Sequence, residues 1–389
     1  MERKAPKKRI VKLCYWIDTI IRSMVKKKVI HLITTIERGG AENQLLILVR
    51  EQIEKDLDVE VFYLKGKPEL KDSFLKLGAH VNLLLANKNF LTQILLFRRF
   101  INRRNILVHT HLAQAELLAA IVCKKKRFII SRHNYALLWP NKPKFISKSL
   151  SRYTSNKAVA CIAISNAVKE YLILHKEISP RVKIYVIHYG FERTNYQSIV
   201  QPKLIHSQLT SKEIFKIGTI GRLVPEKNYL TILKSLKLVA ETIPNTKMFI
   251  VGAGKSEGEL KKVCKEMQIE NCIIWMGKTG YVQEFLNQID LFVFASKGEG
   301  FGLVLLEAMQ ANKPILAPNN SAIPEVLGVS YQGLYPTSDH RSLAEKILSI
   351  YNNSKSVKEL TSGYKSQLEL FDSKIMANKI MQVYESIGF

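Results

Sequence analysis

The stretch GEGFGLVLLE, residues 298–307, places two carboxylates and three glycines around the start of a predicted helix. Glu299 lies in the glycine-rich loop, and Glu307 lies two helical turns further on. Backbone N–H groups at a helix start, together with the positive end of the helix dipole, can bind phosphate or another anion. The loop acid could bind sugar hydroxyls, and Glu307 could bind a hydroxyl pair such as that of ribose. On spacing alone, a surface helix with a chance pair of glutamates is the alternative.

Two further loops carry residues suited to phosphate binding. In GRLVPEKN, residues 221–228, Arg222 and Lys227 follow a predicted strand, where two cations can face a diphosphate. In IERGGAEN, residues 36–43, Gly40 opens a helix directly after the first predicted strand. Each loop could equally be an ordinary strand-to-helix turn that has no ligand.

Two histidine-bearing segments also end predicted strands. These are HTHL, residues 109–112, and SRHN, residues 131–134, so His133 is expected at the carboxyl edge of a sheet. An imidazole there could donate to a developing charge or to a substrate hydroxyl. A structural role is the more common one for a single histidine at a strand end. The chain has no GxSxG elbow, Walker loop or GxGxxG motif, which argues against hydrolytic triads and those nucleotide sites.

Short β-branched runs alternate with helical stretches from Lys28 onward, a pattern that predicts α/β structure with parallel sheets covered by helices on both faces. The polar stretch around residues 191–213 interrupts the alternation, which then restarts. The sequence therefore predicts two doubly wound, Rossmann-like domains facing across a cleft, with ligands beyond the carboxyl ends of the strands. The predicted segments are a basic amphipathic one at 1–27, a first domain at 28–195, a linker at 196–213, a second domain at 214–370, and a C-terminal helix at 371–389 that packs back on the first domain.

Composition narrows the class of protein. The 389 residues are 47% hydrophobic and carry a net charge of +26, most of it in the first 200 residues. Between Lys88 and Lys157, Glu116 is the only acid among 15 basic residues. This bias predicts an anionic partner, although a solvated basic face would look the same. Five cysteines without a CxxC pair indicate a reducing compartment and argue against a zinc site.

The N-terminal segment predicts contact with a membrane surface. Basic ends flank an apolar middle, and on a helix Ile10, Leu13, Ile17 and Ile20 would share one face. That pattern is typical of a helix lying in the membrane interface, and packing on the following domain is the alternative. We therefore expect a cytoplasmic protein that is peripheral on the inner face of the cell membrane.

The order of the motifs resembles one known family. GGAE, HTHL, SRHN, GRLVPEKN, VGAGKSEGEL and GEGFGLVLLEAM follow one another as in the group 1 glycosyltransferases, family 4 of the retaining nucleotide-sugar-dependent enzymes. The resemblance spans residues 28–388, and the E-x7-E element from Glu299 to Glu307 is its most specific part. It implies the GT-B fold, with the nucleotide-sugar on the second domain and the acceptor on the first.

The resemblance implies how the donor phosphates are bound. Arg222 and Lys227 match the residues that contact the donor diphosphate in such enzymes. The backbone N–H groups around Phe301, Gly302 and Leu303 would meet the β-phosphate. Because these groups can stabilise the charge on the leaving nucleoside diphosphate, neither a metal ion nor another cofactor is expected.

The remaining site residues are also implied by the resemblance. Glu299 matches the acid that holds the donor sugar, and Glu307 matches the one that holds the ribose. His133 matches the histidine beside the donor sugar, and Gly40 matches a mobile glycine loop at the cleft floor.

The resemblance also implies which residues lie beside the base of the nucleotide. Gly277 and Lys278 would border the base pocket. One residue departs from the family pattern. Asn228 stands where many members have a glycine, which leaves the pair of cations intact but puts a residue other than glycine in the turn.

These observations predict a hexosyl- or N-acetylhexosaminyltransferase that moves a sugar with retention from a nucleotide-sugar, most commonly a UDP-sugar. The expected acceptor is a lipid-linked or cell-envelope glycan in polysaccharide, lipopolysaccharide or glycolipid synthesis. Alternatives are a nucleotide-sugar epimerase of the same fold and a basic protein that binds nucleic acid or membrane without transferase activity. Nucleic acid is not an expected partner, because no RNP-like strand, helix-turn-helix or zinc finger signal is present.

Overall fold

The computed structural model describes residues 27–102, 106–123, 127–192 and 206–389. The predicted amphipathic segment at residues 1–26 and most of the predicted linker lie outside the described residues. No helix in the described ranges combines the length and the hydrophobicity that spanning a membrane requires.

The strands form two parallel sheets. The first sheet has seven strands in the order β3-β2-β1-β4-β5-β6-β7, and the second has six in the order β10-β9-β8-β11-β12-β13. The strands of the first sheet are β1 Lys28–Ile33, β2 Asp58–Tyr63, β3 His80–Asn82, β4 Leu107–His111, β5 Phe128–Arg132, β6 Ala160–Ala163 and β7 Lys183–Val186. Those of the second sheet are β8 Phe215–Ile220, β9 Thr246–Val251, β10 Ile273–Gly277, β11 Leu291–Val293, β12 Ile315–Pro318 and β13 Leu334–Tyr335.

Helices connect the strands in both halves of the chain. The helices before residue 206 are α1 Gly40–Glu54, α2 Lys71–Lys76, α3 Phe90–Ile101, α4 Ala113–Val122, α5 Lys144–Lys157 and α6 Asn166–Leu174. The later helices are α7 Tyr229–Thr242, α8 Glu257–Glu266, α9 Val282–Gln288, α10 Leu303–Gln310, α11 Ile323–Leu327, α12 His340–Asn352, α13 Ser354–Thr361, α14 Tyr364–Glu369 and α15 Ser373–Ser386. The predicted α/β class and its two parallel sheets are confirmed.

The central strands are apolar runs because both of their faces are covered. Five of the six residues of β1 are buried, and so are five of the six residues of β2. Such burial on both faces distinguishes parallel strands from the alternating strands of half-exposed sheets. Strand β3 keeps only three residues of the predicted run HVNLLL, because the chain turns away after Asn82, whose side chain accepts from the N–H of Leu84.

Side-chain caps fix where several helices begin. Ser165 accepts from the N–H of Val168 at the start of α6. Asp339 accepts from two backbone N–H groups of the first turn of α12. Because a cap satisfies N–H groups that the helix itself cannot, each is worth about 1 kcal/mol.

The chain divides into two compact units. The first unit contains Met1–Ser131, Tyr153–Ala160 and Met381–Phe389, and the second contains Arg132–Arg152 and Cys161–Ile380. The second unit therefore holds His133, the end of the first sheet and all of the second sheet. In it, an apolar core of α7, α12 and the central strands includes Leu236, Val239, Ile250 and Ile347, each fully buried.

Candidate functional site

Hydrogen bonds join the loops that follow β8, β9 and β10 at the carboxyl edge of the second sheet. The N–H of Gly221 donates to the carbonyl of Val251 over 3.0 Å, and the N–H of Gly252 donates to the carbonyl of Gly277 over 2.8 Å. A Cβ on Gly252 would lie 1.8 Å from the carbonyl oxygen of Gly221. Only glycine therefore lets the loop at residues 221–228, which carries the two predicted cations and is called the cation loop, lie this close to the VGAG loop at residues 251–254.

The cation loop places Lys227 beside Glu299. Lys227 ends a short 3-10 turn, Pro225–Lys227, and its ammonium forms an ion pair with the Glu299 carboxylate. The same ammonium lies 5.3 Å from the centre of the Phe294 ring. The two charged side chains are 20% and 14% exposed, so they are shielded from bulk water yet accessible to a ligand. Two sequence-predicted residues that are 72 positions apart are thus brought into contact.

Arg222 lies two residues after the end of β8, and its side chain is exposed. Its guanidinium forms no ion pair with any described residue. An Arg side chain carries five N–H donors and stays charged, so it is available for an oxyanion.

Asn228 performs the turn that many family members make with glycine. Its backbone is left-handed, with φ 53° and ψ 41°, and Asn is one of the few non-glycine residues that adopts this conformation readily. Its side-chain amide donates to the hydroxyls of Thr231 and Ser338 over 2.9 and 3.2 Å. The departure from the family pattern therefore preserves the turn that presents Lys227.

The three glycines of GEGFG have distinct steric roles. A Cβ on Gly300 would lie 2.6 Å from the carbonyl oxygen of His133, and one on Gly298 would lie 2.8 Å from the Tyr135 ring. Gly302 has φ 98°, a left-handed conformation that favours glycine. The first two glycines thus let this loop contact the segment that carries His133, and the third turns the chain into α10.

Three consecutive backbone N–H groups at the start of α10 are without an acceptor among the described residues. They belong to Phe301, Gly302 and Leu303, the groups that the sequence predicted to meet a phosphate. The Phe301 ring is 2% exposed and makes an edge contact with the Tyr189 ring at 5.4 Å, which anchors this backbone. Free N–H groups at a helix start form an anion site.

The loop after β12 holds the backbone of Glu299. The Glu299 N–H donates to the Ser321 hydroxyl over 2.8 Å, and the Ala322 N–H donates to the Glu299 carbonyl over 3.4 Å. Asn320 accepts from the same Ser321 hydroxyl and donates to the carbonyl of Ser296. Sequence reasoning gave Asn320 and Ser321 no role.

Glu307 lies on α10, with its carboxyl group largely enclosed. The carboxyl group forms no hydrogen bond or ion pair with another described residue, and burial raises its pKa to about 7. The carboxyl group therefore titrates near neutral pH when no ligand is bound. A hydroxyl pair that donates to the carboxylate would favour the charged form.

His133 follows β5 and hydrogen-bonds through Nδ1 to the Tyr189 hydroxyl over 2.6 Å. Burial, together with the neighbouring Arg132 charge, lowers the pKa of His133 to about 3. The imidazole is therefore neutral at physiological pH. It can take part in hydrogen bonds to a ligand but does not carry a stored proton for general acid catalysis.

A buried polar cluster anchors the loop after His133. The Arg132 guanidinium lies 3.8 Å from the Glu177 carboxylate, and these side chains are 3% and 0% exposed. Glu177 also accepts from the N–H of Leu138, and Arg132 donates to the hydroxyl of Ser151. Removing either partner of such a pair would leave a buried charge, which costs about 3–5 kcal/mol. Glu177 was not recognised from the sequence, because nothing local marks its pairing.

The remaining predicted residues lie in two places. Gly277 ends β10 with φ 64°, and Lys278 follows it with an exposed side chain. Both lie at the same edge of the second sheet as Gly252. Gly40 belongs to the first compact unit, where it is the first residue of α1.

One cluster among the described residues has the composition of a metal site. His31, His109 and His111 are buried in the first compact unit, with ligand atoms within 4.8 Å of one another. Polar groups of the protein already contact these rings: His31 bonds to Gln52 over 2.7 Å, and His109 bonds to the hydroxyls of Tyr384 and Ser131 over 2.7 Å each. The cluster is thus a hydrogen-bonded network within the first unit, and the expectation that the enzyme works without a metal stays a prediction.

Comparisons with known proteins identify the family. Residues 201–366 match the family described as "Glycosyl transferases group 1", and residues 38–194 match "Glycosyltransferase Family 4". The capsular polysaccharide biosynthesis glycosyltransferase CapM of Staphylococcus aureus is 24% identical over 387 residues, which cover 93% of this chain and 98% of CapM.

A second relative and a solved structure extend this comparison. The Escherichia coli UDP-Gal:alpha-D-GlcNAc-diphosphoundecaprenol alpha-1,3-galactosyltransferase is 24% identical over 242 residues, 60% of this chain and 62% of that enzyme. The crystal structure of Anabaena HepE in complex with UDP and glucose superposes with a TM-score of 0.77 at 19% identity, covering 92% of this chain and all of HepE.

Together, the fold and the family matches define the class of protein. The chain belongs to the group 1, family 4 type glycosyltransferases, adopts the GT-B fold, and is a glycosyltransferase.

Proposed function

We propose that this glycosyltransferase transfers a hexose or N-acetylhexosamine from a UDP-sugar to a lipid-linked or cell-envelope glycan, with retention of anomeric configuration. One observation carries the proposal: the Lys227–Glu299 ion pair lies in the same loop cluster as the unpartnered N–H groups of Phe301, Gly302 and Leu303. A sugar attached to a diphosphate requires a cation and an anion-binding helix start for its phosphates, and an acid for its hydroxyls. The solved complexes of HepE with UDP and with UDP-glucose support the choice of base.

The leaving diphosphate is the first chemical requirement. As the glycosidic bond breaks, negative charge grows on the β-phosphate. Arg222 and Lys227 supply positive charge, and the N–H groups at the start of α10 supply hydrogen bonds that are already oriented. Removing one such preorganised donor in other enzymes lowers kcat by about 10²–10³-fold.

Glu299 would exchange partners when the donor binds. In this structure, Lys227 neutralises its carboxylate. A bound diphosphate would attract Lys227, and the freed carboxylate would accept hydrogen bonds from the donor sugar. The exchange keeps each charge paired throughout, so neither is left alone in a partly buried site.

Glu307 and His133 would contact different parts of the donor, Glu307 the ribose and His133 the sugar. Ribose hydroxyls that donate to Glu307 would stabilise its charged form and lower a pKa that burial otherwise holds at about 7. His133 stays neutral, and the Tyr189 hydroxyl fixes its ring, so it would position the donor sugar.

The proposed acceptor rests on charge and on the relatives. The first 200 residues carry most of the +26 net charge, and an anionic lipid or lipid diphosphate would complement it. The names of CapM and the E. coli galactosyltransferase refer to capsular polysaccharide and to a diphosphoundecaprenol acceptor. We therefore propose peripheral binding at the inner face of the cell membrane, with residues 1–26 contributing.

A panel of nucleotide-sugars tests the donor. We expect UDP-sugars to stabilise the protein against thermal unfolding, by about 2.7 kcal/mol at a hundred times the Kd, and one of them to release UDP in the presence of a lipid-linked acceptor. NMR of the product would report whether the anomeric configuration is retained. Binding of nucleic acid with no response to any nucleotide-sugar would overturn the proposal.

Vesicle cosedimentation tests the membrane part. We expect binding to anionic vesicles that weakens as salt rises, and a larger salt sensitivity once residues 1–26 are deleted, because the apolar contribution is lost. Equal partition into neutral and anionic vesicles, or none into either, would contradict it and would favour a soluble acceptor.

A further inference from the structure

Glu325, on the short helix α11, accepts hydrogen bonds from three places in the second compact unit. One carboxylate oxygen accepts from the N–H of Ala167 over 2.7 Å. The other accepts from the N–H and the side-chain amide of Asn166, over 2.8 and 3.0 Å, and lies 3.1 Å from Nε2 of His188. Asn166 and Ala167 are the first two residues of α6, so the acid also lies at the positive end of that helix dipole.

The same segment of chain holds the proposed sugar-binding acid. Ser321 and Ala322, which bond to the backbone of Glu299, immediately precede α11. Glu325 and the two groups that hold the Glu299 backbone thus belong to one short stretch of chain, residues 321–325.

The His188 side of the cluster leads to His133. The next residue, Tyr189, holds Nδ1 of His133 through its hydroxyl over 2.6 Å. The rings of His188 and Tyr189 both contact the Phe301 ring, with centroids 5.8 and 5.4 Å away. Glu325 thus fixes the residue adjacent to the one that orients the imidazole.

We propose that Glu325 is a positioning residue for sugar transfer. Through its bonds to α6 and His188, it aligns the Glu299 loop with the His133 imidazole. The proposal rests on the proposed donor-sugar roles of Glu299 and His133. Glu325 itself contacts neither residue, so it acts through Ser321 and Ala322 on one side and through His188 and Tyr189 on the other.

The contacts require a carboxylate. Every partner that faces Glu325 is a donor, so a glutamine at this position would turn its own NH₂ group toward a donor. Burial alone would raise the pKa of Glu325, but the hydrogen bonds from His188, Ala167 and Asn166 outweigh it, so the pKa lies below its usual range. The carboxyl group is therefore charged near neutral pH.

Steady-state kinetics of Glu325→Gln and Glu325→Asp in the full-length enzyme test the proposal. We expect Glu325→Gln to lower kcat by about 10–100-fold while KM for the donor and the Kd for UDP change less than about threefold, because binding groups remain and only their alignment is lost. Glu325→Asp keeps the charge and should recover part of kcat. Glu259→Gln, a change of an exposed acid in the first turn of α8, is the matched control and should leave kcat unchanged.

Two results would overturn the proposal. One is a Glu325→Gln enzyme whose kcat stays within about twofold of wild type. The other is an Asp variant as inactive as the Gln variant, with both losing UDP binding and thermal stability in parallel, as a purely structural acid would.

Amide hydrogen exchange separates this proposal from the proposed function, because it needs no substrate. Glu325→Gln should speed exchange both at the start of α6 and at the Glu299 amide, which donates to Ser321. If no nucleotide-sugar is ever turned over, the proposed function fails, but exchange at both places still supports the coupling. Faster exchange at α6 alone would contradict it.

Discussion

The buried histidine cluster of the first compact unit and the loops around Glu299 in the second both gather polar groups, but they differ in how their hydrogen bonds are satisfied. His31 and His109 have protein partners in Gln52, Ser131 and Tyr384. In the second unit, the Arg222 guanidinium, the Glu307 carboxyl group and the N–H groups of Phe301–Leu303 have no partner among the described residues. Because an enclosed polar group without a partner destabilises a fold, the enclosed Glu307 carboxyl group and the unpartnered N–H groups indicate a ligand site rather than a structural network, and the exposed Arg222 adds a charge that a ligand can reach.

The largest expected effect is on turnover by a change at Glu299. Glu299→Ala removes the proposed sugar contact and leaves Lys227 without its partner, so we expect kcat to fall by about 10³-fold or more while the protein stays folded. Steady-state kinetics with the true donor measure kcat, and a circular dichroism melt measures whether the variant stays folded. Glu284→Gln, on α9, is a control acid of the same domain. Near wild-type turnover by Glu299→Ala would show that Glu299 does not bind the donor sugar.

Loss of either cation should have the next largest effect. We expect Arg222→Ala and Lys227→Ala each to lower kcat/KM by about 10–100-fold, and the double variant to lose less than the product of the two, because both would act on one diphosphate. Lys237→Ala, an exposed lysine on α7, serves as the control. Small and additive effects, no larger than those of the control, would mean that the two residues are surface charges.

A change in the histidine network should act on stability instead. Gln52 is fully buried, accepts from His31 and donates to Tyr384 over 3.2 Å. Gln52→Leu leaves the His31 N–H without its acceptor, and we expect a loss of about 1–3 kcal/mol in the free energy of unfolding. Denaturant unfolding measures this loss, and kcat per folded molecule should not change. A tenfold drop in kcat with unchanged stability would break the contrast between the two regions.

The last expected effect, no larger than that of Gln52→Leu, is a pH dependence of stability that arises from Glu307. Its pKa, about 7 in the folded protein, lies above that of an unfolded glutamate, so the folded state binds the proton more tightly. The resulting stabilisation is complete below about pH 4.5 and is lost as pH rises through about 7. Relative to Glu307→Gln, the wild type should therefore become less stable by about 1–3 kcal/mol across this window.

Urea unfolding of both proteins at a series of pH values measures the difference. Saturating UDP should shrink it, because ribose hydroxyls favour the charged carboxyl group. Parallel stability curves for the two proteins would show that Glu307 does not titrate in this range.

Local sequence determined much of this protein. The alternation of apolar runs and helical periods defined two parallel sheets, because strands buried on both faces need continuous apolar residues. The glycine-rich turn before α10 could be placed to within a residue, since helix starts and left-handed glycines have local signatures. The order of the motifs also sufficed to identify the glycosyltransferase family and to select Lys227 and Glu299, which the structure brings into contact.

Only the tertiary structure decided which residues hold the site residues in place. Glu325 and Asn166 are 159 positions apart, and nothing in either segment signals their hydrogen bond. The same holds for Ser321 and the Glu299 amide, and for Tyr189 and His133. The protonation of Glu307 and His133 is likewise set by burial, which depends on how distant segments pack. Sequence patterns encode local geometry and chemical type, whereas positioning and charge state arise from contacts that form only when the chain folds.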